Sequence, residues 1–200
     1  LGKVIDSMGL RQLRISETEK YPHVTYFFNG GVPSPYSKED RMIIPSPKVA
    51  TYNLKPEMSA LEITNVLVDR IKAQMYDFIL VNFANADMVG HTGDLDAGIK
   101  AIQVIDKCVY ELVKTFTGYG GAVIITSDHG NAEEMINIEN GQIDTEHSLN
   151  PVPFILAGTS ITAKTLPYGS LKDVAPTILE LLGIPKPSDM TGQSLIRIVW

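Results

Sequence analysis

The sequence has 200 residues, 44% of them apolar and 20% charged, a composition that supports a buried core and excludes a disordered or fibrous chain. Seventeen Lys and Arg against twenty-three Asp and Glu leave a net charge of −6 with no basic stripe to track a phosphate backbone, so nucleic acid is not an expected partner. The one cysteine, Cys108, cannot form an internal disulfide, and apolar runs such as residues 78–83 are too short to cross a bilayer; a cytoplasmic protein without a membrane partner is expected.

The chain opens on Leu1 with no charged segment leading into an apolar one, so neither a native start nor a secretory signal is visible and the sequence reads as a fragment. Residues 3–8 read as a short helix closed by Gly9, followed by extended residues 12–15. Ser16 and Glu19 match a capping box, which predicts a helix running towards Gly30, although Tyr26, Phe27 and Phe28 favour strand. Between residues 30 and 56, Pro33, Pro35, Pro45 and Pro47 predict a long connection without regular elements, either a substrate-facing lid or a surface excursion.

Ser59 and Glu62 form a second capping-box pattern ahead of Leu61, Val68 and Ile71, a helix reaching towards Met75. Residues 77–83 are nearly all apolar, as expected of a parallel strand covered on both faces. Ile99, Ile102, Ile105, Val109, Leu112 and Phe116 then recur at helical spacing up to Gly118, and residues 122–126 form the next buried strand. Asn140-Gly141 between residues 135–138 and 143–145 predicts a two-residue hairpin; residues 152–157 form a third apolar strand. Residues 171–182, opened by Ser170 and Asp173 and closed by Gly183 and Pro185, form the last helix. Strands alternating with long helices give an α/β fold with a mainly parallel sheet and helices on both faces, whose ligands gather at the carboxyl ends of the strands.

That edge carries the chemistry. Asp87 and His91 follow the strand ending at Phe83, and Ser127-Asp128-His129-Gly130 follows the strand ending at Thr126. Asp87 and His91 are four apart, so one helical turn or a tight loop can aim both at one point; Gly130 lets the chain turn sharply beside Asp128 and His129. His147, beside Glu146, is a fifth candidate ligand. Singly, each His-Asp pair suits a structural hydrogen bond or a solvated loop; together they exceed what one open metal site uses and imply two divalent ions, drawn from Mn²⁺, Zn²⁺ or Fe. Paired ions clamp the oxygens of a phosphoryl displacement, which makes an anionic phosphate a reasonable substrate. His23 reads as structural, Cys108 as a packed thiol, Ser127 as structural, and residues 118–121 as a turn rather than a phosphate loop.

Several longer strings resemble cofactor-independent phosphoglycerate mutases. They are Ser16-Glu17-Thr18-Glu19-Lys20-Tyr21, Phe28-Asn29-Gly30-Gly31, Pro45-Ser46-Pro47-Lys48-Val49-Ala50-Thr51-Tyr52, Asn85-Ala86-Asp87-Met88-Val89-Gly90-His91-Thr92-Gly93, Ser127-Asp128-His129-Gly130-Asn131-Ala132-Glu133 and Asn150-Pro151-Val152-Pro153. Residues 173–179 are similar to a late helix of the wider alkaline phosphatase superfamily. The resemblance covers nearly the whole chain and implies the C-terminal portion of that metal-binding domain, incomplete at its N-terminus. It implies that Asp87, His91 and His147 bind one Mn²⁺, that Asp128 and His129 supply part of a second site, and that Lys20 contacts the transferring phosphoryl group. A cation at a helix start has its own rationale in anion binding, beside the plainer reading as a surface lysine.

The family interconverts 3-phosphoglycerate and 2-phosphoglycerate in glycolysis through a phosphoserine. The resemblance further implies a cytoplasmic enzyme, monomeric at full length. The family's nucleophilic serine, first aspartate ligand and inserted substrate domain have no counterpart here, so they would come from a missing N-terminal half and the fragment alone would be inactive. Two alternatives stand beside this reading: a metal-dependent phosphatase of the same superfamily, and a noncatalytic metal- or partner-binding module.

Overall fold

The fold is built outward from β1, Gln12–Glu17, every residue of which is buried. In the computed structural model, which describes residues 1–158 and 166–196, β1 lies between β2, Glu39–Ile44, and β3, Phe78–Asn82, and pairs in parallel with both. Alternation decides its two faces. Leu13 and Ile15 join Ile44, Ile63, Leu67, Ile71 and Leu112 in the main core. Arg14 points the other way, fully buried, with its guanidinium over the rings of Phe28 at 4.5 Å and Phe78 at 5.1 Å. Burial lowers the Arg14 pKa to about 10, against the nearby Glu39, which raises it.

Helix α1, Gly2–Ser7, and a π-helical turn, His23–Phe27, contact β1 on this polar side, while α2, Ala60–Lys72, and α4, Leu95–Gly118, carry the apolar side. Between β3 and α4 lies the short α3, Asn85–Gly90. A second sheet pairs β4, Val123–Thr126, with β5, Phe154–Ala157, antiparallel. The last helix, α5, Val174–Leu181, follows a 3₁₀ turn, Leu171–Asp173, opened by a true Ser170–Asp173 capping box. The molecule is α/β with three parallel strands and helices, as the alternation of elements predicts. No helix among the described residues is long and apolar enough to cross a membrane.

Several local expectations are corrected. Ser16 does not cap a helix; it lies inside β1, because pairing on both sides of that strand outweighs a local capping pattern, and the helical turns begin only at Thr18. Ser59 sits at the start of α2, but its hydroxyl donates to the Pro45 carbonyl instead of capping. The buried stripe of α2 runs through Ala60, Ile63, Leu67 and Ile71, leaving Leu61 exposed. The segment between residues 30 and 56 contains an entire strand, β2, hidden in sequence by the charges of Glu39, Asp40 and Arg41 that an edge strand tolerates. The turn at residues 137–142 is wider than two residues: Asn137 N–H donates to the Gln142 carbonyl, and Gly141 takes a positive φ of 70°. Finally, β3 and β4 are only half-buried, and Ile99 and Ile102 of α4 remain 48% and 45% exposed.

Candidate metal centre

The candidate residues come from four separate segments. Lys20 closes the 3₁₀ turn after β1, Asp87 stands in the first turn of α3 after β3, and His91 follows the last residue of α3. Asp128 and His129 follow β4, and His147 lies in the connection leading to β5. A small apolar cluster of Met58, Ala84, Val89, Ala97 and Ala101 seats α3 against α4 and thereby fixes where Asp87 points.

Asp87 is the hub. Its Oδ1 lies 3.0 Å from His147 Nε2, 3.1 Å from His91 Nε2 and 4.0 Å from His129 Nε2. The Asn131 amide donates to the same oxygen at 3.2 Å, while Oδ2 accepts from the Lys20 ammonium. His91 Nε2 and His147 Nε2 are 3.1 Å apart, and the His129 and His147 rings stack with centroids 3.7 Å apart. Asp128 stands further out, more than half exposed, with Oδ1 3.6 Å from His129 Nε2. The structure thus brings together Asp87, His91, His129, His147 and Lys20, with Asp128 at the rim.

Local backbone features hold this arrangement. Gly130 and Ser148 form an antiparallel bridge, with Ser148 N–H donating to the Gly130 carbonyl at 3.0 Å. The bridge joins the two segments that carry His129 and His147, whose rings stack. A Cβ on Gly130 would approach Glu133 Oε1 and Ser148 Oγ to 2.2 Å, so a side chain there would displace the Glu133–Ser148 contact. Glu133 in turn accepts from the backbone N–H of Asn131 at 2.8 Å and from the hydroxyl of Ser148. His91 Nδ1 lies 2.6 Å from the Thr145 carbonyl, which selects the tautomer protonated at Nδ1 and leaves Nε2 as a donor atom towards the centre.

Burial tends to raise the Asp87 pKa, but the Lys20 hydrogen bond and charge, with His91 and His129 nearby, outweigh it and hold the carboxyl below the ordinary range. An ionised carboxylate facing three imidazole nitrogens is a donor set suited to a divalent transition ion. Ligand atoms of Asp87, His129 and His147 all lie within 4.8 Å of one another, a spacing one ion can bridge. The residues present therefore fit a metal.

Three contributors lack a distinctive signal of their own in the sequence. Asn131 is 5% exposed and fixes Asp87, yet a lone asparagine after a glycine reads as a turn. Glu133 orders the loop from outside the hub. His23, read as structural, lines the same cleft as Lys20 and Asp87; its Nδ1 is buried without a partner, and burial followed by the Lys20 charge lowers its pKa. The approach of Lys20 and His23 to the hub depends on the three-residue spacing of a helical turn after β1.

The chain is similar over nearly its whole length to known proteins. The chain is 58% identical over 196 residues to the 2,3-bisphosphoglycerate-independent phosphoglycerate mutase 2 of Methanosarcina barkeri, covering 98% of this chain and 37% of that protein. It is 54% identical over 197 residues to the corresponding mutase of Clostridioides difficile, covering 98% and 39%. The crystal structure of Leishmania mexicana phosphoglycerate mutase at low cobalt concentration superposes with a TM-score of 0.89 at 34% identity, over 98% of this chain and 38% of that one. The chain thus spans about two-fifths of the length of the relatives it matches. With the metalloenzyme superfamily model matching residues 1–186, the chain belongs to the metalloenzyme superfamily.

Proposed function

We propose that this chain is the C-terminal, metal-holding portion of a cytoplasmic cofactor-independent phosphoglycerate mutase that interconverts 3-phosphoglycerate and 2-phosphoglycerate in glycolysis. The observation that carries the reading is the convergence of Asp87, His91, His129 and His147 on one point with Lys20 against it, in a chain similar throughout to such mutases. Asp87, His91 and His147 would hold one Mn²⁺ or similar divalent ion. Asp128 and His129 would hold part of a second, with His129 close enough to serve either.

Bound ions supply positive charge that polarises phosphoryl oxygens and lowers the pKa of an attacking hydroxyl. The chain's own residues do the rest. Lys20, held 10% exposed in its side chain, places a fixed ammonium where a phosphoryl group would enter, and needs only to exchange its Asp87 partner for an anionic oxygen. The Thr145 carbonyl orients the His91 ring, and the Gly130–Ser148 bridge joins the segments that carry His129 and His147, so the imidazoles stand together before a phosphoryl group arrives. The nucleophilic serine that would carry the phosphoryl group as phosphoserine, one further aspartate and the substrate-gripping residues would come from the N-terminal half, giving a monomeric full-length enzyme.

The test has two arms. The purified chain should bind Mn²⁺ in calorimetry yet form no 2-phosphoglycerate from 3-phosphoglycerate. The chain coexpressed with the non-matching part of the Methanosarcina barkeri mutase should regain turnover. Turnover by the chain alone would overturn the division of labour; release of inorganic phosphate by the reconstituted pair would move the reading to a phosphatase of the same superfamily.

A further inference from the structure

The connection between β2 and α2, residues 45–59, is a loop closed on itself: Ser59 Oγ donates to the Pro45 carbonyl at 2.8 Å, as in a compact surface loop whose ends meet. Both ends also reach Glu17, the fully buried last residue of β1. Ser46 Oγ donates to its Oε2 at 2.9 Å and Ser59 N–H to its Oε1 at 3.3 Å. Beyond Glu17 the loop holds the 3₁₀ turn that Lys20 closes. Ser46 N–H donates to Thr18 Oγ1 at 3.1 Å, Glu19 N–H to Ser46 Oγ at 3.4 Å, and the Tyr52 hydroxyl to Glu19 Oε1 at 2.7 Å. Burial, then the bond to Glu19, push the Tyr52 pKa up to about 12, so the hydroxyl stays protonated as a donor in neutral solution. The same loop also holds α3. The Tyr52 ring and Met58 pack with Ala84, Val89, Ala97 and Ala101, and the Asn85 amide, at the first residue of α3, donates to the Pro56 carbonyl at 2.8 Å. Met58 is kept at a φ of 43°, a conformation that a non-glycine residue retains only where its surroundings fix it.

We infer that residues 45–59 are a brace that sets the reach of Lys20 to Asp87, with Tyr52 and Ser46 as positioning residues that act through the turn and the helix. The two members of the pair lie 67 positions apart on separate elements, Lys20 on a turn of three residues and Asp87 on a helix of six. Elements so short do not hold a direction by themselves and take it from what they pack against. This loop packs against both. Tyr52 spans them with one side chain, its ring against the cluster that seats α3 and its hydroxyl on the residue next to Lys20. An ammonium held against Asp87 competes with a divalent ion for the carboxylate, and one free to swing away competes less. The brace therefore tunes how readily Asp87 passes from Lys20 to a metal. The positioning rests on these contacts alone; that the released ammonium then meets a phosphoryl oxygen rests on the function proposed above.

The test uses the 200-residue chain, with Mn²⁺ affinity read by calorimetry and metal-free melting by circular dichroism. Tyr52→Phe keeps the ring in the cluster and removes only the bond to Glu19; Ser46→Ala removes the bond to Glu17. Each should lower the melting temperature by about 2–4 °C and tighten Mn²⁺ binding by ~3–10-fold. Adding Tyr52→Phe to Lys20→Met should change the affinity no further, because the ammonium it positions is already gone. Tyr76→Phe removes the same kind of bond, to Asp40 at 2.8 Å, away from the centre; it should melt lower yet bind Mn²⁺ as wild type does. Without metal, the melting losses of Tyr52→Phe and Lys20→Met should sum to more than the loss of the double variant. The inference is overturned if Tyr52→Phe and Ser46→Ala bind Mn²⁺ like wild type, if Tyr52→Phe acts equally in the Lys20→Met background, or if the metal-free losses add. Should wild type take up no Mn²⁺, the function proposed for the centre falls, and additivity of the metal-free melts alone decides the brace.

Discussion

Replacing Asp87 with asparagine keeps the shape of the hub and removes its charge, which separates the two roles the carboxylate holds. Without metal, Asp87 is the counter-charge of Lys20, and the two side chains are 14% and 10% exposed. Breaking a buried pair by removing one partner costs ~3–5 kcal/mol, and the lower end applies here because each group keeps some contact with water. For a chain of this length a loss of ~3 kcal/mol lowers the melting temperature by roughly 6–12 °C. With metal, wild type gains about 2.7 kcal/mol at a concentration one hundred times Kd, or roughly 5–10 °C, and Asp87→Asn gains almost nothing because the oxygen shared by three imidazoles no longer carries charge. The assay is thermal unfolding by circular dichroism in EDTA and in MnCl₂, with calorimetry for the binding itself.

The partner substitution gives the opposite sign. Lys20→Met removes an ammonium that competes with a divalent ion for Asp87, so it should tighten metal binding even as it lowers metal-free stability. An ion pair with a purely structural role would show two losses and no metal response in either variant. The reasoning is refuted if Asp87→Asn melts with wild type and retains its shift in MnCl₂, or if Lys20→Met abolishes that shift.

Gly90→Ala would place a Cβ 2.0 Å from Asn131 Oδ1, forcing the buried amide away from Asp87; metal affinity in calorimetry should fall by ~10–100-fold with the helical signal retained. Asp173 accepts from the backbone N–H groups of Ser170 and Gln193 at 2.8 Å, which hold its pKa low; Asp173→Ala should cost ~1–2 kcal/mol at pH 7 in urea unfolding. Because that carboxyl is depressed in the folded state, its contribution is present above the ordinary aspartate value, and the gap between wild type and variant should close as pH falls below that value and through the lower folded one. Glu17 is the opposite case: burial raises its pKa against hydrogen bonds from Ser46 and Ser59, so the folded state favours the protonated acid. Its stabilising contribution is complete below the unfolded value and lost as pH rises through the folded one, so urea midpoints of Glu17→Gln relative to wild type should improve from pH 4 to pH 7.

The parts of the fold legible in sequence are those with strong periodicity or strong punctuation. The spacing of apolar residues located α4, the apolar runs located β3 and β4, and Ser170 with Asp173 located the start of the last helix. What failed was local chemistry overruled by pairing: Ser16 matches a cap, but two parallel neighbours make it strand, and Glu39-Asp40-Arg41 reads as loop although β1 recruits it as an edge. The candidate site was legible because His and Asp have few reasons to cluster after strands. Asn131 carries no local signal because its role lies in one hydrogen bond to a residue 44 positions away, and no local pattern records such a contact.

The residues of β3 and the cleft-lining face of α4 carry the most informative disagreement. Continuous apolarity in residues 77–83 calls for cover on both faces, and the spacing of Ile99, Ile102, Ile105 and Val109 calls for a partner along α4, yet the chain leaves β3 half-buried and Ile99 and Ile102 nearly half exposed. At roughly 25 cal/mol per Å² of apolar surface, leaving such residues in water forgoes stabilisation that their sequence pattern is built to collect. The pattern therefore calls for more cover than β3 and α4 have among the described residues. The same half-covered strands lead to Asp87 and Asp128, so the least enclosed part of the core adjoins the edge where the centre stands.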